Sequence, residues 1–367
     1  MPEPRGEQLH RRRTTAARIL LIVLLSIQSL RAQERYFYFD RPYGSEAMFN
    51  PISLALNTGY DILQLDGHPR TIQYLPYAPG SENVFRNLGS PFTAISHYGW
   101  GNFLSNEVFP ITIAKKGAQW WPNYQLHLIG GGMSFVMQKE WFESHNFPAP
   151  WLLSFTSLMA AELFNEVVEN GTYAGETVDP IADVYIFNWA GVLLFSLPGV
   201  PKFFSETLNM ADWSLQPSFS FRPLALWNTG QYYSIRWELP FLKRWNLFYY
   251  FGMNGLTGLS YRWSSGEGLS VGLGLRAKNR YVVEAGENKQ SLNLVWNGGI
   301  FYDWDNSLMA SLMISGLTEN LATLNIYPGI FKFGGFSPGV WWMVSRNGSL
   351  SFGVTTVWVP GVAMRAY

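Results

Sequence analysis

Residues 269–278 read Leu-Ser-Val-Gly-Leu-Gly-Leu-Arg-Ala-Lys, and their alternation decides the fold class. Leu269, Val271, Leu273, Leu275 and Ala277 fall on one side of an extended chain, and Ser270, Gly272, Gly274, Arg276 and Lys278 on the other. Successive side chains of a strand point to opposite faces, so this period marks a sheet with one apolar and one polar surface. The same period governs 232–239, where Tyr233, Ile235, Trp237 and Leu239 oppose Tyr232, Ser234, Arg236 and Glu238. In 213–222, Trp213, Leu215, Pro217, Phe219 and Phe221 oppose Ser214, Gln216, Ser218, Ser220 and Arg222. It recurs at 257–263, 292–304, 308–315 and 349–358. Several of these segments run to about 10 residues, the length at which a tilted strand crosses hydrocarbon. Ser264-Ser265-Gly266, Asp305-Asn306 and Asn347-Gly348 sit between them and suit tight hairpin turns.

Composition narrows what such a sheet faces. Only 14% of the chain is charged and 17% is aromatic, with 16 Trp, whereas soluble globular chains carry about 25% charged residues. Past the N-terminus no long uncharged apolar run appears, so a helical membrane protein is not expected. The net charge of zero gives no reason to expect nucleic acid as a partner. With no cysteine, the chain has no disulfide framework and no thiolate metal site. Residues 1–32 pair Arg11, Arg12, Arg13 and Arg18 with an apolar run from Ile19 to Leu30 and a small Ala32, the pattern of a secretory signal peptide. An uncleaved N-terminal anchor is the alternative. Trp213, Trp237, Trp263, Trp304 and Trp358 lie near segment ends, where aromatic belts meet a membrane boundary.

An export signal, alternating strands, aromatic belts and a terminal Tyr367 resemble bacterial outer-membrane β-barrel proteins. The resemblance covers 212–367 by pattern and departs from the usual ending, since Pro360 interrupts and Arg365 shares the face of Tyr367. It implies a mainly β fold: an antiparallel transmembrane barrel of about 10–14 strands, an even number for closure, with an inserted α-helical hairpin. Arg222, Arg236, Arg262 and Arg276 would line its lumen. A soluble sandwich with its apolar face turned inward is the rival.

The expected organisation is signal peptide 1–32, strands and a long loop over 33–118, a helical insert over 119–200 and the main strands over 201–367, with 33–367 one integrated domain. Within 33–118, residues 35–64 and 107–114 read as strand-like, and 65–106, rich in Gly, Pro, Asn and Ser, as loop. The insert shows helical spacing over 151–169, stopped by Asn170-Gly171, and restarts at Asp179-Pro180, where Asp179 suits an N-cap.

The insert holds the candidate site. At 100° per residue, Glu162, Asn165, Glu166 and Glu169 share about one-third of a helix circumference, and lipid exposure there would cost about 2.5–3.5 kcal/mol per carboxylate. An antiparallel hairpin brings Asp183 to the height of Glu166. Neighbouring carboxylates share protons, bind hard cations or divide acid and base roles. His127, beside Gly130-Gly131-Gly132, is the candidate partner. His127, Glu162, Glu166 and Asp183 are therefore the candidate catalytic residues, while no spacing assigns a metal or a cofactor. The plainer readings are a cap for Asp179, a solvated face for the glutamates, a network with the arginines, and a surface role for Glu140, Glu143 and His145. The segment from Trp121 to Phe195 also resembles uncharacterised outer-membrane proteins of the domain-of-unknown-function kind, through His127, Gly130, Glu162, Glu166, Asp179, Pro180 and Asp183; this implies no activity.

The leading functional expectation is an outer-membrane protein with a helical plug, transporting a small or amphipathic solute or serving envelope structure. The alternative is a membrane-embedded enzyme that uses the carboxylate cluster on lipid or cell-wall material. A third reading makes loop 65–106 a docking contact. Membrane lipids and a small-molecule solute are the expected partners; oligomeric state is open.

Overall fold

The computed structural model describes residues 34–110, 121–172, 177–282, 290–357 and 360–366. The expected signal peptide, Trp358, Tyr367 and the end of the 107–114 segment lie outside the described residues. The described residues from Tyr36 onward belong to one compact unit.

Thirteen strands form one sheet: β1 (Ala211–Asp212), β2 (Ser218–Phe221), β3 (Leu224–Trp227), β4 (Tyr233–Glu238), β5 (Trp245–Phe251), β6 (Asn254–Arg262), β7 (Glu267–Val282), β8 (Gln290–Trp304), β9 (Ser307–Ser315), β10 (Ala322–Ile326), β11 (Gly339–Val344), β12 (Leu350–Thr355) and β13 (Gly361–Ala366). Their order is β1-β4-β5-β6-β7-β8-β9-β10-β11-β12-β13-β2-β3. Every neighbouring pair is antiparallel except β13–β2, which is parallel.

This corrects the expected mainly β, closed barrel. The molecule is mixed α/β, and the sheet is open, with β1 and β3 at its ends. The reason lies in 211–221, which reads as one alternating strand and instead changes partners. Its first two residues pair with β4, and its last four pair with β13 and β3. A barrel closes when its first and last strands pair along their lengths, and a two-residue β1 offers no such edge. The edge at β3 is covered by irregular chain, since Leu226 N–H donates to the Arg70 carbonyl at 2.9 Å.

The alternation itself is realised with its apolar side outward. Val271, Leu273, Leu275, Leu247, Leu259, Ile300 and Val354 are exposed, while Ser234, Arg236, Asn254, Ser260, Ser270, Arg276, Asn297 and Ser311 are buried. Tight turns hold the register: Asp305 and Asn306 both have positive φ (48° and 70°), as a two-residue hairpin between twisted strands requires. Trp237, Trp263 and Trp304 are exposed near strand ends, joined by Trp245 at the start of β5, while exposed Trp296 lies mid-strand in β8. Trp213 is not among them; it is fully buried and stacks with Phe301 at 5.6 Å in an inner aromatic cluster with Tyr232, Phe248 and Tyr250.

The region before the sheet is helical, which corrects the expected strands and loop of 33–118. It contains α1 (Pro51–Gly59), α2 (Tyr77–Gly89), α3 (Pro91–Tyr98), α4 (Trp100–Phe103), α5 (Gly131–Ser144), α6 (Pro150–Glu169), α7 (Asp179–Ala182) and α8 (Asn188–Phe195). In α1 the Asn50 side chain accepts the N–H groups of Ile52 and Ser53, and Pro51 fits the first turn. In α2 the Gly and Asn residues that read as loop serve packing. A Cβ at Gly80 would stand 2.0 Å from the Val167 carbonyl oxygen, and buried Asn87 donates to the Asn83 carbonyl at 2.9 Å.

Residues 36–41 cross the molecule as a strap. Glu140 accepts N–H groups from Tyr36 (2.7 Å), Phe37 (2.9 Å) and Tyr38 (2.8 Å), and Glu46 accepts from Phe39 and Arg41. Behind it, Met133, Phe135, Leu158, Val192 and Phe195 pack against Tyr233 and Phe251 at the β4–β5 end of the sheet.

Candidate functional site

Helices α6, α7 and α8 and three wide-turned segments build the site. Three of its residues lie where the helix opens to the i→i+5 pattern, which recurs at functional sites: Glu107 in Leu104–Val108, His127 in Trp121–Gly130 and Asp183 in Asp183–Phe187. Small residues draw these segments together. A Cβ at Gly191 of α8 would stand 2.9 Å from the His127 carbonyl oxygen, and one at Gly132 would meet the Phe195 ring at 2.3 Å. Glycine at both positions lets α8 approach the His127 segment closely and sets Asn188, one turn before Gly191, against the imidazole.

All four sequence-predicted residues converge. The His127 Nδ1 lies 3.2 Å from Glu162 Oε2 and 3.0 Å from Asn188 Oδ1, and its Nε2 lies 3.5 Å from Asp183 Oδ2. Glu166 approaches from α6, with its Oε2 accepting from Asn170 Nδ2 at 3.1 Å. His127, Glu166 and Asp183 each place a ligand-type atom within 4.8 Å of the others, and so do Glu166, Glu169 and Asp179. Asp179 is not the N-cap expected of it. Val178 takes that place, and its carbonyl accepts Ile181 and Ala182 N–H, both at 3.1 Å.

The carboxyl groups of Glu162, Glu166, Asp179 and Asp183 thus act on one imidazole; Glu107 acts on Asp183, and Glu169 lies beside Glu166 and Asp179. Burial acts to lower the His127 pKa, but Asp183 and Glu162 outweigh it and hold the pKa well above the usual imidazole value. Burial pushes Asp183 well above the usual carboxylate range; Asp179 and Glu166 add to this and His127 opposes it. Asp179 is raised by burial in the same way. Like charges removed from water in this way push the protonation states of neighbours apart.

A cavity of about 40 Å3 touches the cluster and is lined by Thr58, Asp61, Leu126, His127, Glu162, Asn165, Gln231 and Tyr233. Asn165 orients one wall by donating to the Thr58 carbonyl (2.8 Å) and Asp61 Oδ1 (2.9 Å).

The arginines sit elsewhere. Arg236 pairs with Asp303, with both side chains fully buried, Arg276 donates to Gln64 Oε1 at 3.1 Å, and Arg262 donates to Asn209 Oδ1 at 2.7 Å. Arg222 is exposed, away from the buried face. Glu140 binds the strap, Glu143 pairs with Lys139 at 3.4 Å, and His145 stacks on Trp141 at 4.1 Å, so these three make no second site. Sequence reasoning missed Asn188 and Glu107. Asn188 follows Asp183 by five residues, a spacing that faces the same way only in a π-helical turn; Glu107 carries no comparable signal. No known family, curated protein or solved structure matches this chain.

Proposed function

We propose that this protein is a lipid-seated hydrolase acting on lipid or cell-wall material, with Glu162, His127 and Asp183 as its acid–base groups. The observation that carries the reading is the convergence of these side chains beside a cavity sized for water. A water taken up there would be within reach of Glu162 and the imidazole, the placement a general base needs. Asp183 lies on the far side of the ring, 3.5 Å from Nε2.

The lipid seat is supported by the outward apolar face of the sheet and its exposed Trp residues near strand ends. An exposed apolar surface this continuous marks an interaction face, and indoles favour the boundary between lipid and water.

The test uses the full chain in two measurements. It should float with phosphatidylethanolamine–phosphatidylglycerol vesicles in a density gradient, and it should release products, read by mass spectrometry, from vesicles carrying lipopolysaccharide or from peptidoglycan. Glu162→Gln should float equally and release none. Wild-type protein that stays in the dense fraction overturns the lipid seat. Product release unchanged by Glu162→Gln overturns the assignment of the base.

A further inference from the structure

We propose that His127, Glu166 and Asp183 hold one divalent transition-metal cation, through the imidazole Nε2 and one oxygen of each carboxylate. The inference takes the same cluster as the hydrolase reading and is tested without substrate, so either one can fail alone.

Three observations carry it. The first is spacing. The three ligand atoms lie within 4.8 Å of one another, so a point at their centre is at most about 2.8 Å from each, a short rotation away from metal bonds of ~2.0–2.2 Å. The second is the tautomer. Nδ1 faces two acceptors, Asn188 Oδ1 at 3.0 Å and Glu162 Oε2 at 3.2 Å, which place the N–H there and leave the Nε2 lone pair toward Asp183 and Glu166. A carboxylate behind a histidine is the outer support that metal-bound imidazoles commonly have.

The third is an orphan acceptor. Asp183 is only 3% exposed, and its Oδ1 has no hydrogen-bond partner among the described residues. Leaving a buried acceptor unmade costs about 1–3 kcal/mol, more for a charged one, and a cation removes that cost. The mixed imidazole and carboxylate donors favour Zn2+, Mn2+ or Fe2+ over Ca2+ and Mg2+. The neighbouring Glu166, Glu169 and Asp179 group offers oxygen alone and serves as the control.

The experiment strips the purified full chain with chelator and titrates it with Mn2+, followed by electron paramagnetic resonance. The expected result is one bound Mn2+ per chain with nitrogen coupling from an imidazole. Asp183→Asn should weaken binding by about 100-fold, the upper range for loss of a metal-supporting group, and Asp179→Asn should leave it in place. His127→Gln should remove the nitrogen coupling. Three results overturn the proposal: no stoichiometric Mn2+ binding by folded wild-type protein, binding without nitrogen coupling, or equal loss in Asp179→Asn and Asp183→Asn. Should His127→Gln fail to fold, the wild-type nitrogen coupling and the two aspartate variants decide the matter.

Discussion

Along β7, Leu273 stands 71% exposed, while on α6 Glu166 is 1% exposed. Both invert the usual preference, and they do so in different surroundings. On the inner face of the sheet several buried polar groups pair with one another: Arg236 with Asp303, Ser270 with Ser260 at 2.9 Å, and Asn228 with Asn325 at 2.8 Å. The Arg236 charge there has its own counter-charge. In the helical layer, four carboxyl groups act on the His127 imidazole, and burial raises the pKa of two of them. Burial of polar groups is thus common to both regions. The gathering of several acids on one imidazole, with its effect on their protonation, distinguishes the candidate site from the scaffold.

The sharpest way to break this comparison is to remove one acid from each region. Asp303→Asn leaves the Arg236 guanidinium buried without its counter-charge, and the expected loss is about 3–5 kcal/mol. Asp183→Asn removes one of several carboxyls and leaves Glu162 on the other nitrogen of His127, so its effect should lie within about 1 kcal/mol of neutral. Denaturant unfolding in detergent measures both. If Asp183→Asn costs as much as Asp303→Asn, the helical cluster is a structural network and the distinction fails.

A second effect, smaller than the first, separates the strap from both regions. Burial raises the Glu140 pKa from 4.5 to about 7 despite three backbone N–H donors that favour its ionised form. The folded state therefore holds this proton more tightly than the unfolded chain. The stability it contributes is complete below pH 4.5 and is lost as the pH rises through about 7. The full swing is on the order of 3 kcal/mol. The difference between the stability–pH curves of wild type and Glu140→Gln isolates it. A difference that is flat between pH 4.5 and 8 would show that Glu140 does not titrate there.

The smallest expected effect on stability tests the outward face. Leu273→Ser changes an exposed position, so unfolding free energy should move by no more than about 0.5 kcal/mol. Vesicle flotation should nonetheless fall, further still when Leu275→Ser is added. Undiminished flotation would mean that this face does not touch lipid.

Much of the sheet and part of the site were legible before any coordinates. The two-residue period of 269–278 gives β7 its faces, because strand geometry depends on little beyond the chain's own alternation. The helical spacing of Glu162 and Glu166 puts them on one face for a similar reason. The helices of 51–103 were not legible. In α2, glycine and asparagine are used for close packing and buried hydrogen bonds, and these are the residues that otherwise signal loops. The N-cap reading of Asp179 failed because the helix begins one residue earlier.

The sequence by itself determined which face of each strand is apolar, where the hairpins turn and which carboxylates share a helix face, since each follows from local backbone geometry. Only the tertiary structure decided that the sheet stays open, because that depends on which partners the segment 211–221 chooses along its length. It also decided that Asp183 and Glu162 meet on opposite nitrogens of His127. That meeting requires Gly191 and Gly132 to bring α8 against the His127 segment, and the closeness of two helices far apart in the chain is set by packing, which no local pattern encodes.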